Sequence, residues 1–174
     1  MSRLKLALLG CGDVAHRDYL PEFHRLAAGA ELVAVCSRTP ARVAQAMQQY
    51  GIPAGYTDYR QMLAESDAEA VINLTPIQLH DETNRAILTA GRHLYSEKPV
   101  ASTAAAAADL AHLAGERGLH IVCAPCVRLF PQLRYVRSLI DAGAIGEIYS
   151  ARGYGHLGVP PWSGYTSDPS PFFA

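Results

Sequence analysis

The sequence predicts an α/β protein built on a doubly wound, parallel β-sheet, and two features of the chain indicate it. Short apolar runs alternate with longer runs of helical pattern, as in β-strand–α-helix–β-strand units. The first two apolar runs, Lys5–Leu9 and Leu32–Cys36, are nearly continuous, which is typical of parallel strands buried on both faces. We therefore expect such a sheet within residues 1–124.

The other elements follow in order from the same alternation. Pro40 and Gly51 bound a helix, since proline is favoured in a first helical turn and glycine just past the last, and Asp58 is a good N-cap for the next helix. The predicted strands are Lys5–Leu9, Leu32–Cys36, Ala54–Tyr56, Ala70–Leu74, His93–Ser96 and Ile121–Val122. The predicted helices are Ala41–Tyr50, a segment from Asp58 to about Ala64, Asp81–Ala90, Thr103–Arg117 and Pro131–Ala142.

The last part of the chain differs from the rest in composition. Glu147–Tyr154 has β character, whereas Gly155–Ala174 is rich in glycine, proline and serine and is predicted to be a loop. A chain that begins a new β-element and then stops in a loop looks cut off. We expect residues 125–174 to form a linker helix and the beginning of an incomplete second domain of α+β class.

Composition excludes several classes of protein. The 174 residues carry 15 Lys and Arg against 16 Asp and Glu, and 49% of them are hydrophobic. This balance excludes intrinsic disorder and offers no basic surplus for nucleic acid. No apolar run approaches the roughly 18 residues of a membrane span. The N-terminal apolar run stops at Gly10, too early for a signal peptide, so we expect a cytoplasmic protein.

A glycine motif follows the first strand directly. Gly10–Cys11–Gly12–Asp13–Val14–Ala15 has the pattern G-x-G-x-x-A. In dinucleotide-binding folds Gly10 would allow the tight turn, Gly12 would let a pyrophosphate approach the backbone, and Ala15 would permit close helix packing. The helix N-terminus would direct unpaired N–H groups at the phosphates. The alternative is a tight turn without a ligand.

The end of the second strand addresses the choice of dinucleotide. An NAD site usually has Asp or Glu there to hold the ribose 2′-hydroxyl. This chain has Ser37, Arg38 and Thr39 instead, with Arg42 about one turn further on. Such donors and cations suit the 2′-phosphate of NADP, so NADP is the expected cofactor and NAD the second choice. The alternative is a solvated arginine on an ordinary loop.

Two further motifs end the fourth and fifth strands. They are Thr75–Pro76–Ile77–Gln78–Leu79–His80 and Glu97–Lys98–Pro99. Ligands of open α/β sheets bind at the carboxyl ends of strands, and a lysine placed there can donate a proton or anchor a substrate. The alternative for Lys98 is a surface ion pair before a turn proline.

These motifs together resemble the Gfo/Idh/MocA oxidoreductases, the relatives of glucose–fructose oxidoreductase and inositol dehydrogenase. The resemblance is carried by the glycine motif, by Thr75–Pro76–x–x–Leu79–His80, and by Ala90–Gly91–x–His93 leading into Glu97–Lys98–Pro99. It extends over essentially the whole chain. It implies an N-terminal Rossmann domain that binds NAD or NADP, and a C-terminal domain with a large open antiparallel sheet.

The resemblance also implies roles for individual residues. Lys98 would be the catalytic residue, beside the nicotinamide and a substrate hydroxyl, with a cis peptide bond to Pro99. Glu97 would orient the site. The further residues expected near the cofactor are Thr75, Pro76, His80, Glu97, Arg128 and Trp162. The implied substrate is a carbohydrate or polyol, and the full-length protein would be a homo-oligomer.

Members of that family continue into a Gly-Gly segment, an Asp and a His that complete the active site. This sequence stops at Phe172–Phe173–Ala174, before such a segment, and none of its seven histidines matches that position. The resemblance therefore implies that these residues supply the nucleotide-binding part and are inactive alone. A non-catalytic dinucleotide-binding sensor or regulatory module is the alternative. A methyltransferase is a third alternative. It would need an acidic residue at the end of the second strand, and Ser37 and Arg38 at that position argue against it.

The four cysteines do not form a disulfide framework in a chain of this size. Cys123–Ala124–Pro125–Cys126 has the spacing of a redox pair or half a zinc site. Because a zinc site needs further ligands and the pair follows a strand instead of opening a helix, we expect a loop and no metal.

Overall fold

The structure is a computed structural model that describes residues 2–124 and 126–154. The chain folds as two units, Met1–Ala124 and Pro125–Ala174. In the described residues, every helix is too short or too polar to cross a membrane.

The first unit contains a six-stranded sheet in the order β3-β2-β1-β4-β5-β6. All five neighbouring pairs are parallel. The strands are β1 Leu4–Leu9, β2 Ala30–Cys36, β3 Ala54–Tyr56, β4 Ala70–Asn73, β5 His93–Ser96 and β6 Ile121–Cys123. Because β1 and β4 lie side by side while the chain winds outward in both directions from them, their carboxyl ends form the crevice in which such sheets bind ligands. The predicted doubly wound parallel sheet is confirmed.

Four α-helices of this unit lie close to their predicted positions. They are α1 Pro40–Tyr50, α2 Tyr59–Glu65, α3 His80–Thr89 and α4 Ala104–Glu116. Asp58 caps α2 by accepting a hydrogen bond from the Arg60 N–H at 2.8 Å, and Thr103 caps α4 through the Ala106 N–H at 3.1 Å. Each such cap contributes about 1 kcal/mol by satisfying an N–H that the helix leaves without a partner.

A hydrophobic core lies on each face of the sheet. Leu8 belongs to one core and Leu9 to the other, since successive side chains of a strand point to opposite faces. Both leucines are buried, and burying one such side chain stabilises the fold by about 1.5–3 kcal/mol. The continuous apolar pattern of the central strands therefore follows from their burial on both faces.

The segment that follows the glycine motif differs from the regular helix expected there. Ala15–Tyr19 is a π-helical turn, in which the Leu20 N–H bonds the Ala15 carbonyl at 2.8 Å. Phe23–Leu26 is a short 3₁₀ helix. Pro21 lies between them, and because proline has no N–H it interrupts the helical hydrogen bonds.

The second unit contains a 3₁₀ turn, Cys126–Leu129, and the helix α5, Pro131–Asp141. The prediction of a strand at Glu147–Tyr154 is wrong, since none of its residues is in a strand. Tyr149 is 98% exposed and Ile148 48% exposed. Ile148 and two tyrosines, Tyr149 and Tyr154, produced the strand pattern. A strand is stable only when another strand pairs with it, and the described residues of this unit provide none.

Candidate functional site

The glycine motif forms a tight turn between the ends of β2 and β4. Gly10 has φ +105°, a conformation that side chains strongly disfavour. A Cβ on Gly10 would lie 2.7 Å from both the carbonyl carbon and the oxygen of Leu74. The Gly10 N–H donates to the Cys36 carbonyl at 2.8 Å. The packing of the turn against β4 therefore requires glycine at this position.

Gly12 differs from Gly10 because no atom of the described residues requires its small size. A Cβ built there meets nothing within 4 Å. The open space beside the Gly12 backbone is consistent with the close approach of a phosphate predicted from the motif. Of its neighbours, Asp13 is exposed, Val14 is half-buried and Ala15 is fully buried, so Ala15 makes the close packing that the motif predicts.

Cys11 points away from this open space. Its side chain is 1% exposed, and its Sγ lies 3.7 Å from the Cys36 carbonyl oxygen. Burial raises the pKa of the Cys11 thiol to about 11, although the positive charge of Arg42 opposes that shift. Any contact of Cys11 with a cofactor is therefore through its backbone.

The segment after β2 presents polar side chains beside the same turn. The Ser37 N–H donates to the Tyr56 carbonyl at 3.1 Å, which continues the ladder with β3. Ser37 is half-buried, whereas Arg38, Thr39 and Arg42 are exposed. Among the ion pairs of the described residues, none involves Arg38 or Arg42. Both cations are thus available to an anionic group at the end of β2.

The Thr75 turn lies at the end of β4. Asn73 Oδ1 accepts hydrogen bonds from the Thr75 N–H at 3.1 Å and from the Thr75 hydroxyl at 2.8 Å. Pro76 is exposed and precedes a 3₁₀ turn, Ile77–Leu79. The Leu74 N–H donates to the Leu9 carbonyl at 2.7 Å, so the Thr75 turn and the glycine turn leave the sheet next to each other.

The Lys98 turn, Glu97–Pro99, lies at the end of β5. Its Lys98–Pro99 peptide bond is cis, in agreement with the resemblance. The Glu97 N–H donates to the Asn73 carbonyl at 3.0 Å, which holds this turn beside β4. Lys98 is exposed, and its backbone N–H donates to Glu97 Oε2 at 3.0 Å. No ion pair of the described residues includes the Lys98 ammonium, so the surface pair with Glu97 does not form.

Sequence reasoning missed Tyr19, which bonds Glu97, and Tyr95, which bonds Tyr19. The Tyr19 hydroxyl donates to Glu97 Oε1 at 2.7 Å and lies 3.1 Å from the Tyr95 hydroxyl. Burial, together with the hydrogen bonds to Tyr95 and Glu97, raises the pKa of Tyr19. One signal in the sequence could have indicated the role of Tyr95. Side chains two positions apart on a strand point to the same side, so Tyr95 at the end of β5 lies on the same side as Glu97.

His80 lies behind the two turns, although the resemblance implied that it flanks the cofactor. Its side chain is fully buried. Nδ1 lies 2.6 Å from the Pro99 carbonyl oxygen, and Nε2 lies 2.9 Å from the Thr75 carbonyl oxygen. Since both ring nitrogens face backbone carbonyls, the imidazole connects the turns and presents no polar atom to a ligand.

The remaining predicted residues belong to the last part of the chain. Arg128 is exposed on the 3₁₀ turn of the second unit, and its contact with a cofactor stays a prediction. Trp162 lies outside the described residues. Cys123 is half-buried at the end of β6, and burial raises the pKa of its thiol. Within the described part of the chain, no three His, Cys, Asp or Glu side chains are grouped to hold a metal.

Three turns thus converge at the carboxyl edge of a parallel sheet, as in a dinucleotide-binding domain of Rossmann type. The sequence model of the Gfo/Idh/MocA family, an oxidoreductase family with an NAD-binding Rossmann fold, matches residues 4–124. The chain belongs to this family.

Known relatives agree with this assignment. The chain is 37% identical over 147 residues to a dTDP-3,4-didehydro-2,6-dideoxy-alpha-D-glucose 3-reductase of Streptomyces violaceoruber, a match over 83% of this chain and 42% of the relative. It is 30% identical over 164 residues to the inositol 2-dehydrogenase of Salmonella typhimurium, a match over 91% of this chain and 48% of the relative.

Solved structures show the same domain with ligands. The WlbA dehydrogenase of Bordetella pertussis, in complex with NADH and UDP-GlcNAcA, aligns with a TM-score of 0.79 and 27% identity over 85% of this chain and 45% of that chain. A variant of a 3-ketoreductase from Actinomadura kijaniata, in complex with TDP-benzene and NADP, aligns with a TM-score of 0.74 and 31% identity over 84% of this chain and 46% of that chain. The chain spans less than half of the length of all four proteins.

Proposed function

We propose that this chain is the cofactor-binding part of an NAD(P)-dependent oxidoreductase that acts on a hydroxyl or keto group of a sugar or polyol. The observation that carries the proposal is the exposed Lys98, whose turn leaves β5 beside the glycine and Thr75 turns. The family match supports the nucleotide, and relatives named as a sugar 3-reductase and an inositol dehydrogenase support the substrate class.

The chain's own residues would bind the dinucleotide in three places. The backbone of Gly10–Ala15 would receive the pyrophosphate beside Gly12, where the space is open. Ser37, Arg38 and Thr39 would hold the adenosine ribose, with Arg42, exposed on α1, as a further contact. Thr75 and Pro76 would line the path to the nicotinamide, and Arg128 and Trp162 stay as further proposed contacts.

Lys98 would do the proton chemistry. The bound nicotinamide supplies the acceptor or donor of the hydride. The Lys98 side chain would hold the reacting substrate oxygen by a hydrogen bond and move a proton to or from it. Glu97, fixed by the Tyr19 hydroxyl and the Lys98 backbone N–H, would orient the Lys98 turn. General acid–base assistance of this kind contributes about 10²–10⁴ in rate.

NADP is the proposed preferred cofactor. The end of β2 has no acid to bond a ribose 2′-hydroxyl, and Arg38 and Arg42 are exposed cations beside it. Arginine binds phosphate by paired, charge-assisted hydrogen bonds. The A. kijaniata structure contains NADP and the B. pertussis structure contains NADH, so proteins similar to this chain bind either nucleotide.

A matched pair of glycine variants tests the nucleotide site. Gly12 and Gly29 both have room for a Cβ, and neither has a positive φ. Only Gly12 lies in the proposed pyrophosphate site. We expect Gly12→Ala to weaken NADPH binding strongly, and Gly29→Ala to leave it unchanged, when the fluorescence of the reduced nucleotide is titrated. Equal binding by both variants, or no binding by the unmutated chain, would contradict the proposal.

A further inference from the structure

Among the described residues of the first unit, five polar side chains are buried, and all of them lie between the Thr75 turn and the Lys98 turn. They are Asn73, His80, Thr83, Asn84 and Ser96. Burying polar groups is costly unless each finds a partner, and apolar residues would fill the same space without that cost. Their grouping beneath two turns of the candidate site therefore indicates a positioning role.

Asn84, on α3, holds both flanks of the Lys98 turn. Its Nδ2 donates to Ser96 Oγ at 2.9 Å and to the Val100 carbonyl oxygen at 2.8 Å. Ser96 precedes Glu97, and Val100 follows Pro99. One amide group thus fixes the distance between the two ends of the turn.

The same side chain is linked to the Thr75 turn through a second amide. Asn84 Oδ1 accepts from Asn73 Nδ2 at 2.7 Å, and Asn73 Oδ1 accepts from the Thr75 N–H and hydroxyl. Both hydrogens of the Asn84 amide group and its oxygen are therefore used. His80 makes a parallel connection between the carbonyls of Thr75 and Pro99.

Lys98 depends on this support because it is exposed and its backbone N–H bonds only within its own turn, to Glu97. We propose that Asn84 is a positioning residue that sets the Lys98 turn relative to the Thr75 turn, so that Lys98 stands at the nicotinamide end of the dinucleotide. This inference rests on the proposed function. Asn84 itself touches neither substrate nor cofactor.

The test separates the two ends of the nucleotide. NADPH and 2′-phospho-ADP-ribose, which lacks the nicotinamide, are titrated calorimetrically into the unmutated chain and into Asn84→Asp. The carboxyl group keeps the shape of the amide but removes its N–H donors to Ser96 and Val100. We expect the variant to lose about tenfold in affinity for NADPH and to bind 2′-phospho-ADP-ribose as the unmutated chain does. The fluorescence of bound NADPH should change as well, since it reports the surroundings of the nicotinamide.

Ile87→Val is the matched control. Ile87 is fully buried on the same helix, in the hydrophobic core, so this variant reduces stability without touching the amide pair. It should bind both nucleotides as the unmutated chain does. If Asn84→Asp does not fold, Ser96→Ala takes its place, because it removes the hydroxyl that accepts from Asn84 and donates to the Glu97 carbonyl at 2.9 Å.

The outcomes are distinct. If the unmutated chain binds neither ligand, and binds neither NADH nor ADP-ribose in the same titration, the proposed function fails. If it binds both and the ratio of affinities is the same in the Asn84 or Ser96 variant, the positioning role is overturned. The role is also overturned if the unmutated chain binds NADPH no more tightly than 2′-phospho-ADP-ribose, because the Lys98 turn then contributes nothing at the nicotinamide.

Discussion

The Tyr19 hydroxyl donates a hydrogen bond to Glu97 Oε1 at 2.7 Å, which connects the segment after the glycine turn to the Lys98 turn. Tyr59 makes a similar bond to Glu82 at 2.6 Å, but Glu82 lies on the exposed surface of α3. The two tyrosine–glutamate pairs have the same chemistry and differ in their surroundings. They therefore form a matched comparison.

We expect Tyr19→Phe to reduce the free energy of unfolding by about 1.5–3 kcal/mol, because a half-buried carboxylate loses its donor. Tyr59→Phe should cost less than about 1 kcal/mol, since water replaces the lost bond at the surface. Urea unfolding of both variants measures the difference. Equal losses would contradict the special role of the Tyr19 bond.

The pH dependence of this bond has a definite sign. The pKa of Tyr19 is raised in the folded state. The contribution of its protonated hydroxyl to the free energy of unfolding is therefore complete below the ordinary tyrosine pKa of about 10, and it is lost as the pH rises above that value. The difference in stability between Tyr19→Phe and the unmutated chain should therefore be the same at pH values of about 7 and 9.

The glycine turn predicts a contrast in stability between Gly10 and Gly91, a glycine that follows α3. Gly10→Ala should cost more than about 2 kcal/mol of stability, since it combines a disfavoured φ with a contact of 2.7 Å to the Leu74 backbone. Gly91 has φ +75° but open space, so Gly91→Ala should cost about 1 kcal/mol from the backbone alone. Thermal or urea unfolding compares them, and a Gly10→Ala loss no larger than that of Gly91→Ala would contradict the close packing.

The proposed preference for NADP predicts a fourth result. Arg38→Ala should weaken NADPH binding about ten- to hundredfold and leave NADH binding unchanged, because only NADPH has the 2′-phosphate. Arg85→Ala removes the same charge from the exposed surface of α3 and should alter neither affinity. If Arg38→Ala leaves the ratio of the two affinities unchanged, Arg38 does not select the nucleotide.

Local pattern was sufficient for the sheet and for the motifs at its edge. Apolar runs and capping residues predicted every strand of the first unit and α1–α4 to within about two residues. Both signals depend on residues that are close together in the sequence, so they can be recognised without the structure. The same reasoning failed at Glu147–Tyr154, where a strand-like pattern lacks a pairing strand. It also missed the irregular segment around Pro21.

The contacts that hold the turns of the site could not be predicted from the sequence pattern. Tyr19 and Glu97 are 78 positions apart in the chain, and Asn84 reads as an ordinary polar residue of an amphipathic helix. Asn84 is buried because α3 packs against β4 and β5, and only the three-dimensional structure shows this packing. Motifs at strand ends therefore locate the binding turns, whereas the residues that hold them require the three-dimensional structure.

The last prediction concerns catalysis by these 174 residues alone. We expect them to bind NADPH without turning over sugars or polyols. The chain spans less than half of the length of its relatives, and the resemblance implies that another part of such an enzyme closes the substrate pocket and supplies an acid–base histidine. Lys98 alone lacks that partner, worth about 10²–10⁴ in rate. Correct positioning of the substrate can lower the activation barrier by a further amount of about 7–11 kcal/mol.

The measurement is an assay of the purified chain with both nucleotides and a panel of sugars and polyols, which follows the absorbance of the reduced nicotinamide. Lys98→Ala serves as the control, because it removes the proposed proton carrier from an exposed position and should leave the fold intact. Turnover at the background rate in both proteins, together with saturable NADPH binding, is the expected result. Robust turnover that disappears in Lys98→Ala would contradict it, because the catalytic set would then be complete within these residues.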